Sequence, residues 1–98
     1  MIKLAYHSVA QQDMARLVDF LIETDIETAL DTFAIIDDGV SLLLKHPKIG
    51  RPTEFKGLRE LVISRGSTGY VALYEFDELR DIVIILRVRH QREDSFKL

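Results

Sequence analysis

The sequence predicts an α+β domain of order β-α-α-β-β-β, with a helical hairpin packed on one face of a small, mainly antiparallel sheet. Three observations carry this expectation. The last third of the chain holds three β-type runs, Leu58–Ser64, Gly69–Phe76 and Asp81–His90, rich in Val, Ile and Tyr. Turn-forming residues separate them, Arg65–Gly69 and then Asp77–Arg80, so an antiparallel meander is the economical arrangement. Ahead of the meander lie two stretches of helical periodicity with a short break between them, which suits antiparallel neighbours.

Each element has local grounds. Residues 2–7 can form a short opening strand. Ser8 with Gln11 is a capping-box pattern, so a helix should begin there, its apolar stripe running Ala10, Met14, Leu17, Val18 and Leu21. Gln11, Asp13, Arg16, Asp19 and Glu23 fall mainly outside that stripe. Thr24 with Glu27 repeats the capping signature and opens a second helix with the stripe Ile26, Leu30, Phe33, Ile36, Val40 and Leu43–Leu44. Pro47 disfavours helical geometry at His46, so this helix should stop near Lys45. Gly39 inside it costs about 1 kcal/mol against Ala, which close helix–helix approach would explain. His46–Pro52 is a loop by its Pro and Gly content.

Strict alternation assigns the faces of the last strand. Ile82, Ile84, Leu86, Val88 and His90 point one way and should meet the helices. Val83, Ile85, Arg87 and Arg89 point the other way, giving an uncovered face that is apolar first and then cationic. Such a face reads as a partner site.

Composition narrows the class. Residues 1–98 are long enough for one domain and one core, which a 47% hydrophobic content can fill. There is no Cys, so disulfides and thiolate metal sites are excluded. His7 and His46 show no metal-ligand spacing, and neither a metal nor another cofactor is expected. The opening residues lack a signal-peptide pattern and no stretch reaches the length of a membrane span, so a soluble, cytoplasmic protein is expected. The net charge of −3 is uneven: residues 1–47 balance at −5 and residues 48–98 at +2. The acidic half reads as solvated helix faces, whereas the cations cluster at one strand end, where an anionic partner would be met.

Several stretches in this order resemble the RelE/ParE toxin superfamily of type II toxin–antitoxin modules, also called plasmid stabilisation proteins. Ala10-Gln11-Gln12-Asp13-Met14 is similar to the family's A-x-x-D-L opening of the first helix. Leu44 to Pro52 resembles its L-x-x-x-P-x-x-G-R-P loop. Leu58-Arg59-Glu60-Leu61, with Gly57 at shifted spacing, resembles a G-x-R-x-L strand start. Tyr70 to Tyr74 resembles Y-R-x-x-Y, and His90 to Asp94 resembles a terminal H-x-x-R-D with spacing altered by one. The resemblance spans nearly the whole chain and leans to the ParE branch through the P-x-x-G-R-P loop and the terminal His motif.

ParE-like toxins poison DNA gyrase, so the resemblance implies a gyrase-binding toxin neutralised by a cognate antitoxin. RelE-like members cut mRNA on the ribosome, which is the alternative, and a non-toxic antitoxin-binding member is a third. For a nuclease the candidates are Lys56, Arg65, Arg87 and His90, cations for phosphorane charge and an imidazole able to move a proton near neutrality. Two positions depart from that pattern. Phe96 stands where a RelE-like Tyr is expected, and Val71 replaces the Arg that commonly follows the Tyr of the third strand. Target-binding candidates are Arg59, Arg87, Arg89, His90 and Arg92. Antitoxin-binding candidates are Val83, Ile85, Arg87 and Arg89, met by an amphipathic helix bearing carboxylates. Sequence-specific DNA binding and membrane association are not expected. The polar end from Arg92 to Leu98 is expected to be needed for toxicity and dispensable for folding.

Overall fold

The computed structural model describes residues 1–23, 25–65 and 68–92, the side chains of Arg65 and Thr68 excepted. β1 (Lys3–Tyr6) runs straight into α1 (Ser8–Ile22). The expected cap moves by one residue. His7 stays extended and its Nδ1 accepts from the Val9 N–H at 3.1 Å, taking the role assigned to Ser8. α2 (Ile26–Ser41) is capped by Asp25, whose carboxylate accepts from the Glu27 N–H at 3.0 Å and the Thr28 hydroxyl at 2.8 Å. Thr24, the expected cap, lies outside the described residues. A 3-10 turn over Leu42–Leu44 finishes the helix close to where Pro47 requires it.

The meander follows as β3 (Leu58–Arg65), β4 (Thr68–Asp77) and β5 (Ile82–His90). One element is added: β2, the pair Arg51–Pro52, docks antiparallel on Glu60 and Arg59 from within the stretch read as loop. Sheet order is β1-β5-β4-β3-β2, with β1 parallel to β5 and the other pairs antiparallel. The fold class expected from the sequence therefore stands, as a mixed five-stranded sheet with two helices on one face.

The face assignment of β5 holds for Val88, Arg89 and His90 but fails for the residues before the bulge. Tyr74 pairs with Ile85 and Leu73 with Arg87, so Leu86 is an extra residue in a β-bulge. A bulge shifts side-chain alternation by one position. The helix-facing set becomes Val83, Ile85, Val88 and His90, cross-strand from Phe76, Tyr74, Ala72 and Tyr70. Val83 and Ile85 are completely buried in the core against the helices, so the uncovered apolar face they were expected to form does not exist.

The helical stripe is also partly reassigned. In α1, Ala10, Met14 and Leu17 enter the core as expected, but Asp13 is buried beside them. In α2 the buried line is Ala29, Thr32, Ile36 and Val40. Ile26, Leu30 and Phe33 face solvent, at 63%, 65% and 51% exposure. Gly39 faces the sheet, not α1: a Cβ there would lie 2.7 Å from the Ile63 side chain, so the close approach is between helix and strand.

Candidate functional site

α1 takes over from β1 along the edge of β5. β1 stops at Tyr6 opposite Ile85, and the His7 N–H still donates to the Ile85 carbonyl at 2.8 Å. Further along the same edge the Asp13 carboxylate substitutes for a strand. Its Oδ2 accepts from the Val88 N–H at 2.9 Å and from Arg87 Nε at 2.8 Å, with Arg87 Nη2 at 3.3 Å from Oδ1. Arg16 Nη2 stands 3.9 Å from the same carboxylate. A side chain 7% exposed that holds a guanidinium and a strand N–H fixes the course of β5 beyond the bulge. The spacing held a signal for this: Asp13 is three residues from Ala10 and four from Leu17, inside the apolar stripe.

Beyond the clamp β4 and β5 carry two rings into the space under the helices. Tyr70 and His90 are cross-strand partners, edge to face with centroids 5.4 Å apart. The Tyr70 hydroxyl lies 3.1 Å from Thr32 Oγ1 of α2, and both groups are buried. They form the floor of a cavity of about 730 Å³, walled by Leu17, Phe20 and Leu21 of α1 and Ile35 of α2. Arg16 and Asp31 stand at its lining too, and Phe20 at the rim is 73% exposed.

A second, smaller groove of about 410 Å³ lies between the helices, among Tyr6, Met14, Val18 and Phe33. The Tyr6 hydroxyl donates to Asp37 Oδ1 at 3.4 Å. Burial first, then the Asp37 charge and this hydrogen bond, hold the phenol protonated well above its ordinary range.

The other sequence candidates are dispersed. Arg59 lies on the helix-facing side and donates to the Gly50 carbonyl at 2.8 Å, a loop-fixing contact. Arg89 is on the opposite face, cross-strand from Val71, with Nη2 3.8 Å from Glu60. Arg51 approaches the same Glu60 at 3.9 Å. Arg92 is exposed, and its N–H donates to His90 Nδ1 at 3.0 Å. Lys56 precedes β3 and Arg65 ends it, so the strand separates them by roughly 20 Å at about 3.3 Å per residue. Arg87 is engaged by Asp13 and His90 sits at the cavity, so Lys56, Arg65, Arg87 and His90 do not converge. Val83 and Ile85 are core residues and offer no docking surface. The residues after Arg92, Phe96 among them, lie outside the described set. Among the described residues no group of three or more His, Cys, Asp or Glu is placed to hold a metal ion, and no helix is long and apolar enough to cross a membrane.

A profile of the ParE toxins of type II toxin–antitoxin systems, parDE, matches residues 4–95. The chain belongs to the ParE toxin family. Among solved structures it is similar to a chain of the chromosomal ParDE system of P. aeruginosa, at 25% identity and a TM-score of 0.74, covering 92% of this chain and 96% of that one. It shares its fold with a chain of the intact E. coli RelBE toxin–antitoxin complex, at 14% identity and a TM-score of 0.62, covering 90% and 94%. A chain of a RelBE complex from Mycobacterium tuberculosis aligns at 22% identity and a TM-score of 0.60, covering 92% and 98%. No curated protein sequence matches the chain. In this ParE-family chain the Asp13 clamp and the bulge set the course of the cationic strand end.

Proposed function

We propose that this chain is the toxin of a type II module, that it inhibits DNA gyrase by binding it, and that a cognate antitoxin neutralises it in the cytoplasm. The observation that carries the binding mode is the dispersal of the nuclease candidates. Cleavage through a 2′-hydroxyl needs a base, an acid and phosphorane-stabilising cations within hydrogen-bond reach of one phosphate. Here Arg87 is committed to Asp13, and Lys56 and Arg65 stand at opposite ends of β3. Inhibition by docking needs only a surface, and Arg89, His90 and Arg92 at the end of β5 are the target-facing residues of this reading. The exposed line Ile26, Leu30 and Phe33 on α2 supports a protein partner for the hairpin.

The test is a supercoiling assay with purified gyrase and a rising ratio of the full chain. Inhibition is expected, relieved by an antitoxin encoded beside the gene. Full gyrase activity at large molar excess, together with codon-aligned mRNA cuts in a translation reaction, would move the function to the ribosome.

A further inference from the structure

The cavity beneath the hairpin tip is more than a packing defect. It is half-enclosed, mostly apolar, and its volume falls within the roughly 300–1,000 Å³ usual for binding pockets. Its floor carries a polar handle. The Thr32 and Tyr70 hydroxyls, 3.1 Å apart, both stand at its lining and have two protons for the one hydrogen bond they share. The large ring of Phe20 stands mostly exposed at the mouth. An occupant that entered past Phe20 would bury that ring and complete the core at this end.

Charge around the mouth selects the occupant. The last turns of α1 and the first of α2 carry Asp19, Glu23, Asp25, Glu27 and Asp31, all exposed. Arg16 is the only Lys or Arg between Met14 and Ile35, and it leans on Asp13. A partner bearing carboxylates would be repelled here, and the carboxylates expected to reach Arg87 and Arg89 would find the first held by Asp13 and the second beside Glu60. We propose that this cavity receives an apolar anchor side chain from a helical segment of the antitoxin whose flanking residues are Lys or Arg. The inference rests on the reading of the chain as a toxin with a protein antitoxin. It adds the anchor's place and the sign of its surroundings.

The experiment titrates the isotopically labelled full chain with two 16-residue helical peptides. One has Leu and Trp on one face and Lys on the other; its twin has Glu in place of Lys. The Lys peptide is expected to shift Thr32, Tyr70 and His90 resonances saturably, and the Glu twin to bind at least about tenfold more weakly. Phe20→Ser should weaken the Lys peptide about tenfold while a circular-dichroism melt shows an intact fold. The Ile35→Trp variant, which fills the cavity from its wall, should abolish the shifts as well. Shifts confined to Val18 and Phe33 would overturn the proposal, as would equal binding of the twins or no shift at millimolar peptide. Binding that appears only with Phe96→Ser would assign the cavity to the chain's own end. A dimer that dissociates on Phe20→Ser would assign it to a second copy. Growth arrest by the chain is scored separately, so loss of toxicity leaves the peptide result standing and the reverse.

Discussion

Tyr74 and Tyr70 sit four residues apart on the same face of β4, and the structure uses them in opposite ways. Tyr74 is fully buried, and its hydroxyl accepts from the Gly50 N–H at 2.9 Å. Gly50 is held from the other side by Arg59, and a Cβ on it would lie 2.6 Å from the Tyr74 ring and hydroxyl. Tyr70 is almost as buried, yet among the described residues its hydroxyl meets only Thr32, and its ring walls a cavity. One tyrosine closes the core and the other lines a space the core does not fill. Burial alone does not separate structural from functional side chains; what lies against the buried group does.

The contrast can be broken most severely at the clamp between the two ends. Asp13→Ala leaves Arg87 and the Val88 N–H without their acceptor and is expected to cost about 3–5 kcal/mol, the usual loss for one partner of a buried pair. Urea unfolding measures it, and a loss below about 1 kcal/mol would show that the clamp is dispensable. Next in size is Gly50→Ala, which forces Tyr74 or the Glu60 carbonyl aside and should cost about 1–3 kcal/mol by the same measurement.

The two tyrosines can then be compared directly. Tyr74→Phe strands the Gly50 N–H and should cost about 1–3 kcal/mol, whereas Tyr70→Phe leaves Thr32 free to turn to a helix carbonyl and should cost about 0.5–1.5 kcal/mol. Equal losses would erase the distinction between the two ends.

A gentler probe is alkali. Burial raises the Tyr74 phenol above its ordinary value of 10.0, outweighing the Gly50 N–H and Arg59, and Tyr6 is raised as well. Both therefore hold their protons more tightly folded than unfolded. Stability should be undiminished below about pH 10 and fall above it as the unfolded chain ionises first. A melting temperature unchanged between pH 9 and 11 would contradict this. Smallest of all, Phe20→Ser should alter stability by no more than about 0.5 kcal/mol, because the ring is mostly exposed.

The order of elements was legible because helical periodicity, Pro47 and the turn residues are local signals. What escaped depended on one residue. Leu86 bulges, so the residues before it and those after it follow opposite alternations, which counting along the sequence has no means to detect. Alternation counted back from Val88 and His90, which do face the helices, therefore put Val83 and Ile85 on the wrong side, whereas they lie in the core. Asp13 and Thr32 were passed over for another reason: a polar residue inside an apolar stripe reads as solvent-facing until its partner is known. Their partners, Arg87 and Tyr70, stand 74 and 38 residues away. The cavity follows from these two pairs and so was equally hidden.

The separation of Asp13 from Arg87 also sets a timetable. β1 and α1 leave the ribosome before β3 and β4, and β5, the strand that β1 pairs with and Asp13 holds, follows all of them. At roughly 5–20 residues per second, Asp13 waits several seconds for its guanidinium. Until β5 emerges, the parallel ladder cannot form and α1 lacks the strand edge that Asp13 holds. Closing contacts between chain ends so far apart in sequence carries a high loop-closure entropy and slows folding. The nascent chain therefore gains its parallel ladder and its Asp13 clamp only after β5 has been made.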